Sequence, residues 1–113
     1  MTFVPLESAQ PGTPLGRVLH KPIGEVRWRD RVRVEGRIRA MRVQPWEGGV
    51  ATLEVTVVDD TGGIVAIFMG RQQLGGVRLG ARIELEGMVV EARGQLAIMN
   101  PEYTLLPAAG TAP

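Results

Sequence analysis

Cysteine is missing from all 113 residues, which removes disulfides, cysteine-ligated metals and thiol nucleophiles. That absence accords with a reducing cytosol without requiring one. Histidine occurs once, at His20 in a proline-rich stretch, and serine once, at Ser8. Nucleophilic catalysis by a Ser–His couple therefore finds no support, and Asp59 with Asp60 reads as a turn rather than a spaced acid/base pair. One histidine with scattered carboxylates makes no chelating cluster. The glycine-rich stretch 70–80 also lacks the lysine and Ser/Thr of a phosphate-binding loop. We expect a non-enzymatic protein with no metal or other cofactor. Long apolar runs are absent too: none approaches the roughly 18 to 20 residues of a membrane span, and "MTFVPLESAQPGTP" lacks a basic start followed by an apolar core. The expectation is a soluble, cytoplasmic protein with no membrane partner. Aromatics are scarce, with two Trp, two Phe and one Tyr.

Net charge is only +1, yet it is unevenly laid out. Residues 17–42 hold nine Lys/Arg (Arg17, Lys21, Arg27, Arg29, Arg31, Arg33, Arg37, Arg39, Arg42) against three acids (Glu25, Asp30, Glu35), which is +6, and the remainder is −5. A segregated basic segment favours a polyanionic partner. A solvated strand face kept soluble by arginine is the alternative.

Residues 1–22 carry Pro5, Pro11, Pro14 and Pro22 with Gly12 and Gly16 and read as an N-terminal arm. From Val26 the dominant period is two, the mark of strands with one buried face. The spacing predicts strands over about 30–43, 50–58, 63–69, 81–91 and 95–99. In the first, Val32, Val34, Ile38 and Ala40 point inward and Arg31, Arg33, Glu35, Arg37 and Arg39 outward. After Ala40 the phase slips by one, as at a bulge, and Gly36 adds a second bend. "QPWEGG" (44–49) is a connecting loop, and "DDTGG" (59–63) a tight turn with Gly62 or Gly63 available for a positive φ. "GRQQLGGVRLG" (70–80) holds at most a helical turn around Arg71 to Leu74, and "EARGQ" turns the chain. The expected core is Val32, Val34, Ile38, Leu53, Val55, Val57, Phe68, Ile83, Leu85, Val89, Leu96 and Ile98. This order suits an all-β fold, a five-stranded antiparallel OB-type barrel over 23–106 with a tail at 107–113. A small sandwich or SH3-like barrel is the rival.

The succession "VRVEGRIRAM", "LEVTVVDDTGGIVAIFMG", "LGGVRLGARIELEGMVV" and "LAIMNPEYTLL" resembles the OB-fold nucleic-acid-binding superfamily. It is most similar to short single-OB proteins of actinobacterial type, and more distantly to the wedge domain of branch-migrating DNA helicases and to anticodon-binding OB domains. The "D-x-T-G" turn (Asp60, Gly62), the "G-x-R-L-G" step (Gly76 to Gly80) and "N-P-E-Y" (Asn100 to Tyr103) carry the likeness. They are chiefly fold determinants. The resemblance implies single-stranded or junction DNA, or RNA, in a groove across the outer face of the first three strands, bounded by the first and last hairpin loops.

On that reading Arg31, Arg33, Arg37, Arg39 and Arg42 are candidate phosphate ligands, with Thr52 and Thr56 bonding the nucleic-acid backbone. Register from the 44–50 loop puts Arg39 near Glu54, so a cross-strand ion pair competes with that role. Trp46 is the candidate stacking residue or a cap on the barrel mouth, and Trp28 is expected to pack under the arm. Because aromatic platforms are so few, binding should be weak or assisted. Val65, Ile67 and Met69 are expected on the outer face of the third strand. They suggest the alternative function, a protein-interaction or homo-oligomerisation face, unless the 70–76 connection or the arm covers them.

Overall fold

The computed structural model describes residues 17–45 and 49–107. Among the described residues seven strands follow in chain order: β1 (Leu19–His20), β2 (Arg31–Pro45), β3 (Ala51–Val58), β4 (Gly63–Met69), β5 (Arg82–Ala92), β6 (Gln95–Met99) and β7 (Glu102–Leu106), with a 3-10 turn at Ile23–Glu25. The five expected strands are β2 to β6. All seven form one sheet in the order β1-β2-β3-β4-β6-β5-β7, and a further β2–β5 ladder returns that order on itself. Two ladders, β1–β2 and β4–β6, are parallel, so the purely antiparallel, five-stranded expectation is corrected. The physical reason is closure. β5 crosses away from β4 to pair with β2, and its hairpin partner β6 then fills the gap beside β4 in the parallel sense. The edge strands β1 and β7 are short and lie next to Pro22 and Pro101, where sequence period is weak.

β2 serves two ladders, pairing with β5 over 31–37 and with β3 over 37–45. Gly36 stands at the changeover, where a Cβ would collide with the carbonyl oxygen of Val58, so glycine lets the neighbouring backbone approach. Just beyond it the register slips between Ile38 and Ala40, leaving Arg39 as the extra residue of a bulge. The expected slip therefore occurs earlier than Ala40. Ala40 is exposed rather than inward, and Met41 packs against the core in its place. The 70–80 connection closes the bulge: Ile38 N–H donates to the Ala81 carbonyl (2.9 Å), and Gly80 N–H donates to the Ile38 carbonyl (2.8 Å). No helical turn forms around Arg71–Leu74. Leu74 and Val77 instead drop from this loop into the core.

The expected core residues are buried, except Leu96, which is half-buried against the same cluster. The 59–63 turn is made differently from expectation, since neither Gly62 nor Gly63 has a positive φ. Asp59 Oδ1 accepts from Thr61 N–H (2.7 Å), Thr61 O–H (2.6 Å) and Gly62 N–H (3.0 Å), the side-chain mimicry of a backbone turn. Its other oxygen accepts from Ile23 N–H at 2.9 Å, and Thr61 Oγ1 accepts from Gly24 N–H at 2.7 Å. The turn thus docks the Ile23–Glu25 segment over one end of the core, where Ile23 is buried. Among the described residues no helix is long and apolar enough to cross a membrane.

Candidate functional site

Past the bulge the polar phase of β2 changes parity, which brings Arg37, Arg39, Ala40 and Arg42 onto one outward face. The ladders extend that face across the sheet. From Ala40 they run to Thr56, Val65, Ala97 and Val90; from Arg42 they run to Glu54, Ile67 and Met99. A groove of about 550 Å³ lies over the first row, lined by Ala40, Met41 and Arg42 of β2, Glu54 and Thr56 of β3, Val65 of β4, and Gln95 and Leu96 of β6. Gly63 and Ile64 at the start of β4 and Gln95 at the β5–β6 hairpin complete its lining.

The β5–β6 hairpin turns through Arg93 and Gly94, both at positive φ (52° and 81°), the two-residue geometry whose twist matches the flanking strands. Arg93 Nη1 reaches back to Glu54 Oε2 at 2.7 Å, while Arg42 Nη2 meets Glu54 Oε1 at 3.4 Å. One carboxylate, only 8% exposed although it faces outward, so ties together guanidiniums from two sides of the groove. The expected Arg39–Glu54 pair is corrected by the position of the bulge, since the residue opposite Glu54 is Arg42. Among the described residues Arg31, Arg37 and Arg39 form no ion pair; Arg37 lines a separate pocket with Glu35, Asp59, Asp60 and Arg82, and Arg39 stands next to Ala40 of the groove.

Other candidates are placed differently. Thr52 is fully buried and its hydroxyl donates to the Gln44 carbonyl (3.0 Å), so it ties the hairpin together and offers nothing to a ligand. Thr56 does line the groove. Trp46 lies outside the described residues. Val65 and Ile67 are on the outer face of β4 as expected, but they are buried in a second apolar cluster with Ala97, against which Met69, Val90, Ala92 and Met99 pack. The cover comes from β5 and β6, not from the 70–76 connection.

The single basic stripe of the sequence divides in space. Arg33 sits against Glu86 through Nε (3.0 Å) and Nη2 (2.7 Å), and this hydrogen-bonded carboxylate raises its pKa. Glu35 faces Glu84 across the β2–β5 ladder, Glu86 faces Glu102 across β5–β7, and Arg82 lies 3.7 Å from Glu35. This acidic band separates Arg31 from Arg37. Trp28, expected to pack under the N-terminal arm, of which residues 1–16 lie outside the described residues, is 60% exposed, and the Arg29 guanidinium lies 4.7 Å from its ring centroid. Sequence reading named Glu54 only as a partner of Arg39, did not foresee Arg93 as its partner, and missed Gln95 and Leu96 as groove residues. The signals were there: Glu54 is a lone charge among apolar and threonine positions of a strand, and Arg93-Gly94 forms a hairpin tip. Among the described residues no group of three or more His, Cys, Asp or Glu is placed to hold a metal ion.

Neither a protein-family model nor a curated protein matches this sequence. Solved structures do match in shape. A crystal structure of a domain of replication protein A from Methanococcus maripaludis superposes with a TM-score of 0.66 at 16% identity, covering 80% of this chain and 98% of that one. The solution structure of the second OB-fold domain of the same protein gives 0.63 at 17% identity over 80% and 98%. An OB domain from Thermoplasma acidophilum gives 0.62 at 16% identity over 85% and 91%. At these identities the likeness establishes the fold, and the fold is the OB fold.

Proposed function

We propose that the chain is a non-enzymatic nucleic-acid-binding OB domain that holds a single strand, DNA or RNA, in the groove over β2, β3 and β4. The observation that carries this reading is the bulge at Arg39. It turns Arg37, Arg39 and Arg42 to the outward face, where Arg42 lines a groove whose walls mix Ala40, Met41 and Leu96 with Thr56 and Gln95, cations and base-contacting surface of the kind that single strands require. The likeness to OB domains of a replication protein supports it. Trp46 is the proposed stacking residue. The alternative, a partner face on β4, has less support because Val65 and Ile67 are already covered within the chain.

Fluorescence anisotropy of labelled DNA and RNA single strands at several salt concentrations tests the proposal. Log affinity should fall with log salt by about 0.7 per phosphate neutralised. Replacing Arg37 and Arg39 together by Ala should make the slope shallower by about 1.4, equally for all base sequences, because phosphate contacts carry no sequence information. Trp46→Ala should weaken binding by roughly 1 to 3 kcal/mol and leave the slope unchanged. Absence of binding even at low salt would sink the reading.

A further inference from the structure

We infer that Trp28 and the arginines around it form a second contact for a single-stranded nucleic acid, separate from the groove, in which a base stacks on the indole and phosphates meet Arg27, Arg29 and Arg31. The inference rests on the nucleic-acid reading above and extends it to a surface the groove does not include.

Four observations support it. The first is exposure: Trp28 is 60% accessible, and Met88, opposite Arg31 in the β2–β5 ladder, is 50% accessible. A tryptophan left in solvent forgoes a large burial gain that a stacked base would restore.

The second is that the turn presenting it is firmly built. Arg29 has φ 76°, a left-handed conformation costly for a side chain of its kind, and the surroundings hold it there. Arg29 N–H donates to the Val89 carbonyl (2.8 Å), Val89 N–H returns to Asp30 (2.8 Å), and Asp30 N–H closes on Arg27 (3.0 Å). The platform is pre-organised.

The third is charge. Asp30, the acid within this run, is turned away: its carboxylate takes Lys21 Nζ at 2.8 Å and Arg27 N–H at 3.0 Å. Among the described residues Arg27, Arg29 and Arg31 form no ion pair, so three exposed arginines flank Trp28 along the chain, Arg29 over its ring. An apolar protein surface docking here would bury them unpaired, whereas a phosphodiester chain pairs with them. Arg29 lies over the ring at 4.7 Å, a position that leaves its N–H edge for a phosphate.

The fourth is separation. Glu35, Glu84, Glu86 and Glu102, of which Glu86 pairs with Arg33 and Glu35 with Arg82, lie between this patch and Arg37, so the two sets of unpaired arginines are separate surfaces.

The test uses the two tryptophans as reporters. In the full chain carrying Trp46→Phe, Trp28 is the only indole. Unlabelled oligothymidylate should quench its emission and shield it from acrylamide, with the midpoint seen by anisotropy of a labelled strand. With Trp46 intact, Trp28→Ala should weaken binding of a long strand about fivefold or more, and Trp28→Phe should retain most of it. Replacing Arg27 and Arg31 with Ser should make the salt slope shallower by about 1.4. If anisotropy reports binding while Trp28 emission and accessibility stay constant, the second contact is overturned and the groove reading stands. If no strand binds at all, both fall together.

Discussion

Asp59 accepts four hydrogen bonds, from Ile23, Thr61 twice and Gly62, and so carries both a turn and the docking of the Ile23–Glu25 segment. Burial by itself would raise its carboxyl. The Thr61 hydroxyl and the backbone N–H donors outweigh that and hold it below the usual carboxylate range. Asp30 behaves alike: burial pushes up, and the hydrogen bonds from Lys21 and the Arg27 N–H, with their charge, bring it lower. Since both groups bind protons less readily folded than unfolded, they stabilise the native state above the ordinary carboxylate pKa of about 4. That stability is lost as the pH falls through their lowered native values. Chemical denaturation at neutral and acid pH should show the decline, and Asp59→Ala should lower neutral-pH stability by about 1 to 3 kcal/mol and flatten the acid dependence. A variant with unchanged midpoints would show that the turn holds without its carboxylate.

At the level of elements, the glycine-rich connection and the bulge are one device. Gly80 sits at φ 85° while its N–H bonds Ile38 next to Arg39, so Gly80→Ala strains the contact that keeps Arg39 on the groove face. We expect it to cost about 1 kcal/mol or more in urea denaturation and to weaken single-strand binding. Gly75→Ala is the control, because open space surrounds Gly75 and its φ is not in the left-handed region. The β5–β6 hairpin supplies a second case. Glu54 engages Arg42 and Arg93 in the free protein and competes with phosphate for both. Glu54→Gln keeps the shape and removes the charge, so salt dependence of binding should steepen by about 0.7 as Arg42 meets phosphate. An unchanged or shallower slope would assign Glu54 to hairpin structure alone.

For the whole molecule, a net charge of +1 conceals two basic surfaces divided by carboxylates. Steering of a polyanion depends on that layout and not on the total. Glu84→Arg, placed opposite Glu35 in the dividing band, should raise the association rate with single strands at low salt, and the gain should shrink as salt screens it. Stopped-flow anisotropy at two ionic strengths reads this directly. A rate indifferent to the substitution would mean that encounter is governed locally at the groove.

Alternation of apolar and polar residues determined β2, β3 and β5 by itself. A period of two specifies which side chains are buried wherever one face packs, and Val32, Val34, Leu53, Val55, Ile83 and Leu85 lie buried as that pattern requires. The bulge, too, was legible as a change of parity between Arg39 and Arg42. Which outward residues meet was not, because register and closure depend on strands far apart in the chain. Tertiary structure alone put Arg42 rather than Arg39 against Glu54, buried Thr52 and Ile67 on a face that a flat sheet would expose, and split the stripe from Arg31 to Arg42 by bringing β5 and its glutamates alongside. Local pattern fixes the direction of a side chain, whereas its neighbours are set by the pairing of distant strands.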